Sequence, residues 1–160
     1  MRSMRIGVTG HRFLSERTSR LVEQALVDRL VRLPGESLVG ITCLAEGADQ
    51  LFALAVLRLG GTLEVVLPAA RYREEQTPEQ RPRFDRLVAQ ASTVDVLGYD
   101  ESTCEAYSDA GRRVVERSDV LLAVWDGHPA RGSGGTGDVV AYARTRSTPV
   151  EVVWPPGAER

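Results

Sequence analysis

The chain contains no lysine: all 20 basic residues among its 160 are arginine. That absence excludes a Schiff-base lysine and a phosphate-loop lysine, so any anion bound here is held by arginine, histidine or backbone amides. Cysteine is almost missing too. Cys43 and Cys104 are the only two, and neither sits in a C-x-x-C or Cys/His pattern with metal-ligand spacing. No metal and no cofactor are therefore expected, and a reduced, cytoplasmic protein is the simple reading. No apolar run approaches the roughly 20 residues needed to cross a bilayer, so no membrane span is expected. The basic start Met1-Arg2-Ser3-Met4-Arg5 breaks into His11-Arg12 before a signal-like apolar segment develops, which favours a protein without a secretion signal. Positive charge is not in excess either. A net charge of −2 and a pI near 5.8 argue against a general nucleic-acid binder, which neutralises several phosphates with a basic face.

Familiar site motifs are missing as well. There is no G-x-x-x-x-G-K phosphate loop, no G-x-G-x-x-G after the first strand-like segment, no nucleophile elbow and no persuasive Ser-His-Asp set.

What is present is an alternation. Six short segments rich in Val, Ile and Leu, near 5–9, 38–43, 62–67, 93–97, 119–125 and 149–153, are separated by segments of helical spacing. The helices are expected over about 17–33, 48–59, from Pro78 or Pro82 to about 91, from a capping box at Ser102-Thr103-Cys104-Glu105 to about 117, and over 137–145. This is the pattern of an α/β protein: a three-layer, Rossmann-like fold around a central, mainly parallel sheet of about six strands. At this length, and with no linker, repeat or low-complexity run, residues 1–160 read as a single domain. The tail Pro155–Arg160 reads as frayed.

Right-handed crossovers gather the loops after the strands' carboxyl ends along one edge, where ligands bind such sheets. The chemically unusual residues fall in those loops. Val120–Val124 followed by Trp125-Asp126-Gly127 and by Gly132-Ser133-Gly134-Gly135-Thr136-Gly137-Asp138 reads as buried strand, glycine loop and helix start. Thr136 or Asp138 would cap that helix, and its free amides and positive end make a place for a phosphate. Gly10-His11-Arg12 directly follows a strand and suits a phosphate or carboxylate clamp; otherwise Arg12 pairs with a surface acid and His11 caps a carbonyl. At Glu46-Gly47-Ala48-Asp49, small residues offer bare amides to a ligand. Glu46 either faces that ligand or complements the helix start, whereas Asp49 reads as structural. Asp126 either accepts ribose hydroxyls or forms an Asx turn with Gly127. His128 reads as a solvated loop residue. Trp125 and Tyr72 either stack a purine or fill space.

Taken together, Gly10-His11-Arg12, Glu46-Gly47-Ala48-Asp49, Ser118-Asp119 leading into Ala123–Gly127, and Gly134-Gly135-Thr136 with Asp138 resemble the SLOG superfamily. That group joins the Lonely-guy (LOG) phosphoribohydrolases, the DNA-processing protein DprA and many nucleotide-sensing domains. The resemblance implies a compact, often dimeric nucleotide binder, with phosphate on the glycine loop and helix amides and with ribose and base across the first and second strand loops. The ligand-binding residues it implies are Gly10, His11, Arg12, Gly47, Ala48, Asp126, Gly127, Gly132, Gly134, Gly135 and Thr136. The hydrolase branch carries Pro-Gly-Gly-x-Gly-Thr-x-x-Glu. With Thr136 fixed on its Thr, Arg131 stands at Pro, Ser133 replaces a Gly and Val139 stands at the Glu. Asp138 is one residue earlier, a helical rotation of about 100 degrees. An acid for base cleavage would then come from Glu46 or Asp126. The sequence thus favours binding or sensing a nucleotide-like molecule, ahead of LOG-like phosphoribohydrolysis and of DprA-like single-stranded DNA binding.

Overall fold

The computed structural model describes residues 2–33, 37–129 and 135–160. Six parallel strands form one sheet: β1 (Ser3–Gly10), β2 (Ser37–Thr42), β3 (Thr62–Leu67), β4 (Thr93–Val96), β5 (Val120–Val124) and β6 (Val150–Val152). Their spatial order is β4-β3-β2-β1-β5-β6, so the chain walks outward from β1 to β4, then returns past β1 to lay down β5 and β6. The expected fold class is the one observed.

The helices divide along that reversal. α1 (Glu16–Leu30), α2 (Ala48–Arg58), the one-turn α3 (Tyr72–Glu75) and α4 (Arg81–Ala89) follow the outward strands, while α5 (Cys104–Glu116) and α6 (Thr136–Thr145) follow the return. Two apolar cores result. One joins Val22 and Leu26 of α1, Phe52 and Val56 of α2, Tyr72, Phe84 and Leu87 to Ile6, Val65 and Leu122 of the sheet. The other joins Ala110 and Val114 of α5 and Val139 and Ala143 of α6 to Ile41, Val66 and Leu121. Leu121 and Leu122 feed opposite cores because successive strand residues face opposite ways.

Local signals place most of the ends. Ser15 caps α1 by accepting the Thr18 N–H at 3.1 Å, and Gly60, with φ of +80°, ends α2. Three expectations are corrected. α5 is capped by Thr103, whose hydroxyl accepts the Ala106 N–H at 3.1 Å, and not by Ser102. α6 starts after Gly135, so neither Thr136 nor Asp138 is its cap. The tail is docked and not frayed: Thr18 Oγ1 donates to the Glu159 carbonyl and accepts its N–H, both at 3.0 Å. Pro34-Gly35, which the sequence marks as the stop of the first helix, lies outside the described residues.

Candidate functional site

The reversal of strand order lies between β1 and β5, and these two strands end level, Gly10 opposite Val124. Loops leaving a switch point diverge, and the crevice between them is where open α/β sheets bind ligands. Here the crevice is a cleft of about 630 Å³, well within the range of small-molecule sites. Gly10, His11, Arg12 and Phe13 lie at its centre. Trp125, His128, Pro129 and the start of α6 form one side, with Ala45, Asp49 and Tyr72 on the other, and Tyr107 and Val114 of α5 close it from behind.

The floor is close-packed. A Cβ on Gly10 would lie 2.4 Å from the Ala48 Cβ and 2.7 Å from the Val124 Cβ, so glycine lets α2 approach the end of β1. Gly47, with φ of +92°, permits the same approach, and the Ala48 N–H donates to the His11 carbonyl at 3.1 Å. The start of α2 is thus tied to the β1 loop: the Ala48 amide is spent inside the protein and is not bare. Gly47, Ala48 and Glu46 are not among the residues lining the cleft, and Glu46 is half-exposed.

His11 is 6% exposed. Its Nε2 accepts the Asp126 N–H at 3.0 Å and lies 3.3 Å from Asp126 Oδ1, while the Trp154 ring meets the imidazole edge-on with centroids 5.4 Å apart. The imidazole joins the β1 loop, the β5 loop and the tail. Asp126 makes the Asx turn, accepting the His128 N–H at 2.9 Å, and Arg160 Nη1 stands 3.6 Å from its Oδ2. Burial pushes its carboxyl up, but the His128 N–H and the neighbouring His11 and Arg160 outweigh that and hold it below the ordinary value. Such a group stays ionised at neutral pH, which suits anchoring and not proton donation. Neither Asp126 nor Gly127 lines the cleft.

On the far side, burial acts on a carboxyl with less compensation. Asp49 is 8% exposed and faces the cleft from the first turn of α2. Desolvation raises its pKa to about 7, against the partial offset of the Ala45 N–H, which donates to Oδ2 at 3.2 Å, of the Arg12 charge and of the Cys43 backbone. The turn that returns Asp49 to Ala45 is strained. Leu44 sits at φ of +55°, held by the Thr42 hydroxyl on its N–H and by the Gln50 amide on its carbonyl. Burial and Asp49 push the Cys43 thiol up, so it remains protonated.

Arg12 and Phe13 are exposed at the mouth, the guanidinium 4.9 Å from the Phe13 ring centroid and 6.0 Å from that of Tyr107. Phe13 is 70% exposed and has φ of +56°, an uncommon conformation for a bulky residue. Opposite, Gly135, Thr136 and Gly137 line the cleft, so the first amides of α6, which have no acceptor within the helix, open toward it. Gly132 and Gly134 lie outside the described residues.

Of the residues singled out by sequence, Gly10, His11, Arg12, Tyr72, Trp125, Gly135 and Thr136 meet in one cleft. Asp49, Phe13, Tyr107, Val139 and Arg160 were not selected, yet they line it. The signal for Asp49 lay in its own motif, since a Gly-Ala pair just before an acid lets a helix start fold back on the preceding loop. No group of three or more His, Cys, Asp or Glu that would hold a metal occurs among the described residues. No described helix is long and apolar enough to cross a membrane.

No family model and no curated protein matches the sequence. Solved structures do. DprA from Streptococcus pneumoniae superposes with a TM-score of 0.67 at 17% identity, covering 93% of this chain and 50% of that one. The chain has the fold of DprA. It spans about half the length of the S. pneumoniae protein. A molybdenum cofactor binding protein from Rippkaea orientalis matches at 20% identity and a TM-score of 0.59, over 95% of this chain and 77% of its own. A Moco carrier protein from Chlamydomonas reinhardtii matches at 21% identity and 0.57, over 97% and 79%. The fold implied by the SLOG resemblance is therefore the fold observed, and among its bearers are a DNA-processing protein and carriers of a small molecule.

Proposed function

We propose that this chain binds or senses a nucleotide or nucleotide derivative in the cleft beyond β1 and β5, with phosphate at the start of α6. The observation that carries this reading is the convergence of that helix start, the Arg12 guanidinium and Arg160 on one cleft at the strand-order reversal. Helix amides and the helix dipole favour an anion, and in a lysine-free chain the guanidiniums supply the counter-charge. The Phe13 ring, exposed at the mouth, covers the ligand. Neighbours with this fold carry a molybdenum cofactor, which supports a small-molecule role for the cleft.

A thermal-shift series with AMP, ADP-ribose, NAD and cyclic nucleotides tests the reading, because a ligand that binds only the folded state raises the melting temperature. Stabilisation by at least one of these is expected, and it should be weakened by Arg12→Ala. No stabilisation by any of them at about millimolar concentration, where a tight ligand would add kilocalories of stability, overturns it.

Cleavage of the N-glycosidic bond is less well supported. Val139, which stands at the hydrolase glutamate in the family pattern, faces the cleft as a buried, apolar side chain, and Asp126 is held ionised. Chromatography of AMP incubated with the protein should show no free base above the blank. A homodimer, implied by the family resemblance, belongs to the same proposal and is checked by light scattering. Single-stranded DNA is not an expected ligand at this net charge, and flat or absent binding at low salt is the expected result.

A further inference from the structure

The side of the cleft beyond β2 and β3 carries a polar arrangement that a phosphate site does not use. Tyr72 has no exposed surface, lines the cleft, and its hydroxyl has no hydrogen-bond partner in the protein. The ring is fixed by edge contacts with Phe84 and Tyr107, at centroid distances of 5.7 and 6.3 Å. Its hydroxyl lies within electrostatic reach of Cys43, Asp49, Tyr107 and Arg12, all of which also line the cleft. The Asp49 carboxyl accepts the Ala45 N–H at Oδ2 and is also hydrogen-bonded by the Cys43 backbone.

A buried hydroxyl left without a partner is costly, and a ligand edge that meets it removes that cost. A phenol donates and accepts, and so does a carboxyl near its midpoint of titration. The group that fits therefore offers donors and acceptors side by side. The surrounding wall is apolar, formed by Val8, Val114, the Tyr107 ring and the un-ionised Cys43 thiol, which suits a flat ring better than a hydrated sugar. Strand spacing adds a measure of length. From β3 to β5 there are three inter-strand steps, about 14 Å, comparable to the span of a nucleoside monophosphate lying across the sheet edge.

We propose that Asp49 and Tyr72 form the subsite that reads the hydrogen-bonding edge of a heterocyclic base, so that a nucleotide lies with its phosphate at α6 and its ring beyond β2 and β3. The assignment rests on the nucleotide reading above and adds to it the residues that read the base.

Calorimetric titration of the full chain with AMP, inosine 5′-monophosphate and ribose 5-phosphate tests it, using Asp49→Asn and Tyr72→Phe. Both variants conserve shape, since Asn keeps an acceptor for the Ala45 N–H and Phe keeps the ring contacts; circular dichroism and melting confirm that each is folded. The wild type is expected to bind at least one purine nucleotide more tightly than ribose 5-phosphate. Each variant should weaken that nucleotide about tenfold, the effect of one buried hydrogen bond, and leave ribose 5-phosphate within about twofold. If folded variants weaken nucleotide and ribose 5-phosphate alike, or neither, the base subsite is overturned while the nucleotide reading stands. If the wild type binds none of the three, the base subsite is overturned, and the nucleotide reading falls with it only if ADP-ribose, NAD and cyclic nucleotides also fail to stabilise the protein.

Discussion

At the scale of single residues, the cleft is a set of groups held away from their solution behaviour. Asp49 is the clearest. Its carboxyl, near 3.8 in an unfolded chain, titrates at about 7 in the folded protein because burial disfavours the anion. Between these values the folded state keeps a proton that the unfolded state has lost, so stability falls as pH rises from about 4 through about 7. The difference amounts to on the order of 4 kcal/mol at alkaline pH. Asp49→Asn should therefore match the wild type near pH 4, exceed it by a few kcal/mol at pH 8, and flatten the pH profile, as measured by urea denaturation across that range. Phe13 makes the opposite bargain: an exposed ring on a left-handed backbone contributes little burial and carries about 1 kcal/mol of strain. Phe13→Asn should leave the melting temperature unchanged or slightly raised and weaken nucleotide binding. A lowered melting temperature with unchanged affinity would make the ring a packing residue instead.

At the scale of elements, the hydrophobic rhythm located all six strands and the five longer helices, because a buried strand or helix face must be apolar at its own period. The starts of helices were less legible. Ser102 and Thr103 both have capping side chains, and only the backbone path decides which one reaches an amide two or three residues ahead. Thr103→Ala should cost about 1 kcal/mol and Ser102→Ala much less, by chemical denaturation. The one-turn helix at Tyr72–Glu75 has too few residues to show any period. Between β1 and α2 the close approach depends on residue size. Gly10→Ala should destabilise by about 1–3 kcal/mol through overlap with Ala48 and Val124, and adding Ala48→Gly should recover part of that loss, since one of the two colliding atoms is then gone.

Across the whole molecule, the sheet order brings together loops from residues 10–13, 45–49 and 125–129 and the start of α6, and the tail completes the cleft from the far end of the chain. Thr18 clasps the Glu159 backbone on the surface of α1, and that clasp sets Arg160 beside Asp126. Thr18→Val removes both hydrogen bonds. It should free the tail, seen as faster hydrogen exchange of the Glu159 amide, which loses its acceptor, and as weaker binding of phosphorylated ligands than in the wild type. Sequence by itself determined the alternation of strands and helices, the all-arginine basicity and the glycines that gather along one edge, since each follows from local composition, chain stereochemistry and the handedness of crossovers. It did not reveal that the Ala48 amide is consumed by His11, that Asp126 is held ionised by its neighbours, or that Asp49 faces the cleft. Those outcomes depend on which groups lose water and which meet a partner more than 30 residues away. Only the tertiary structure decides that, because desolvation and pairing are properties of the packed chain and not of its local sequence.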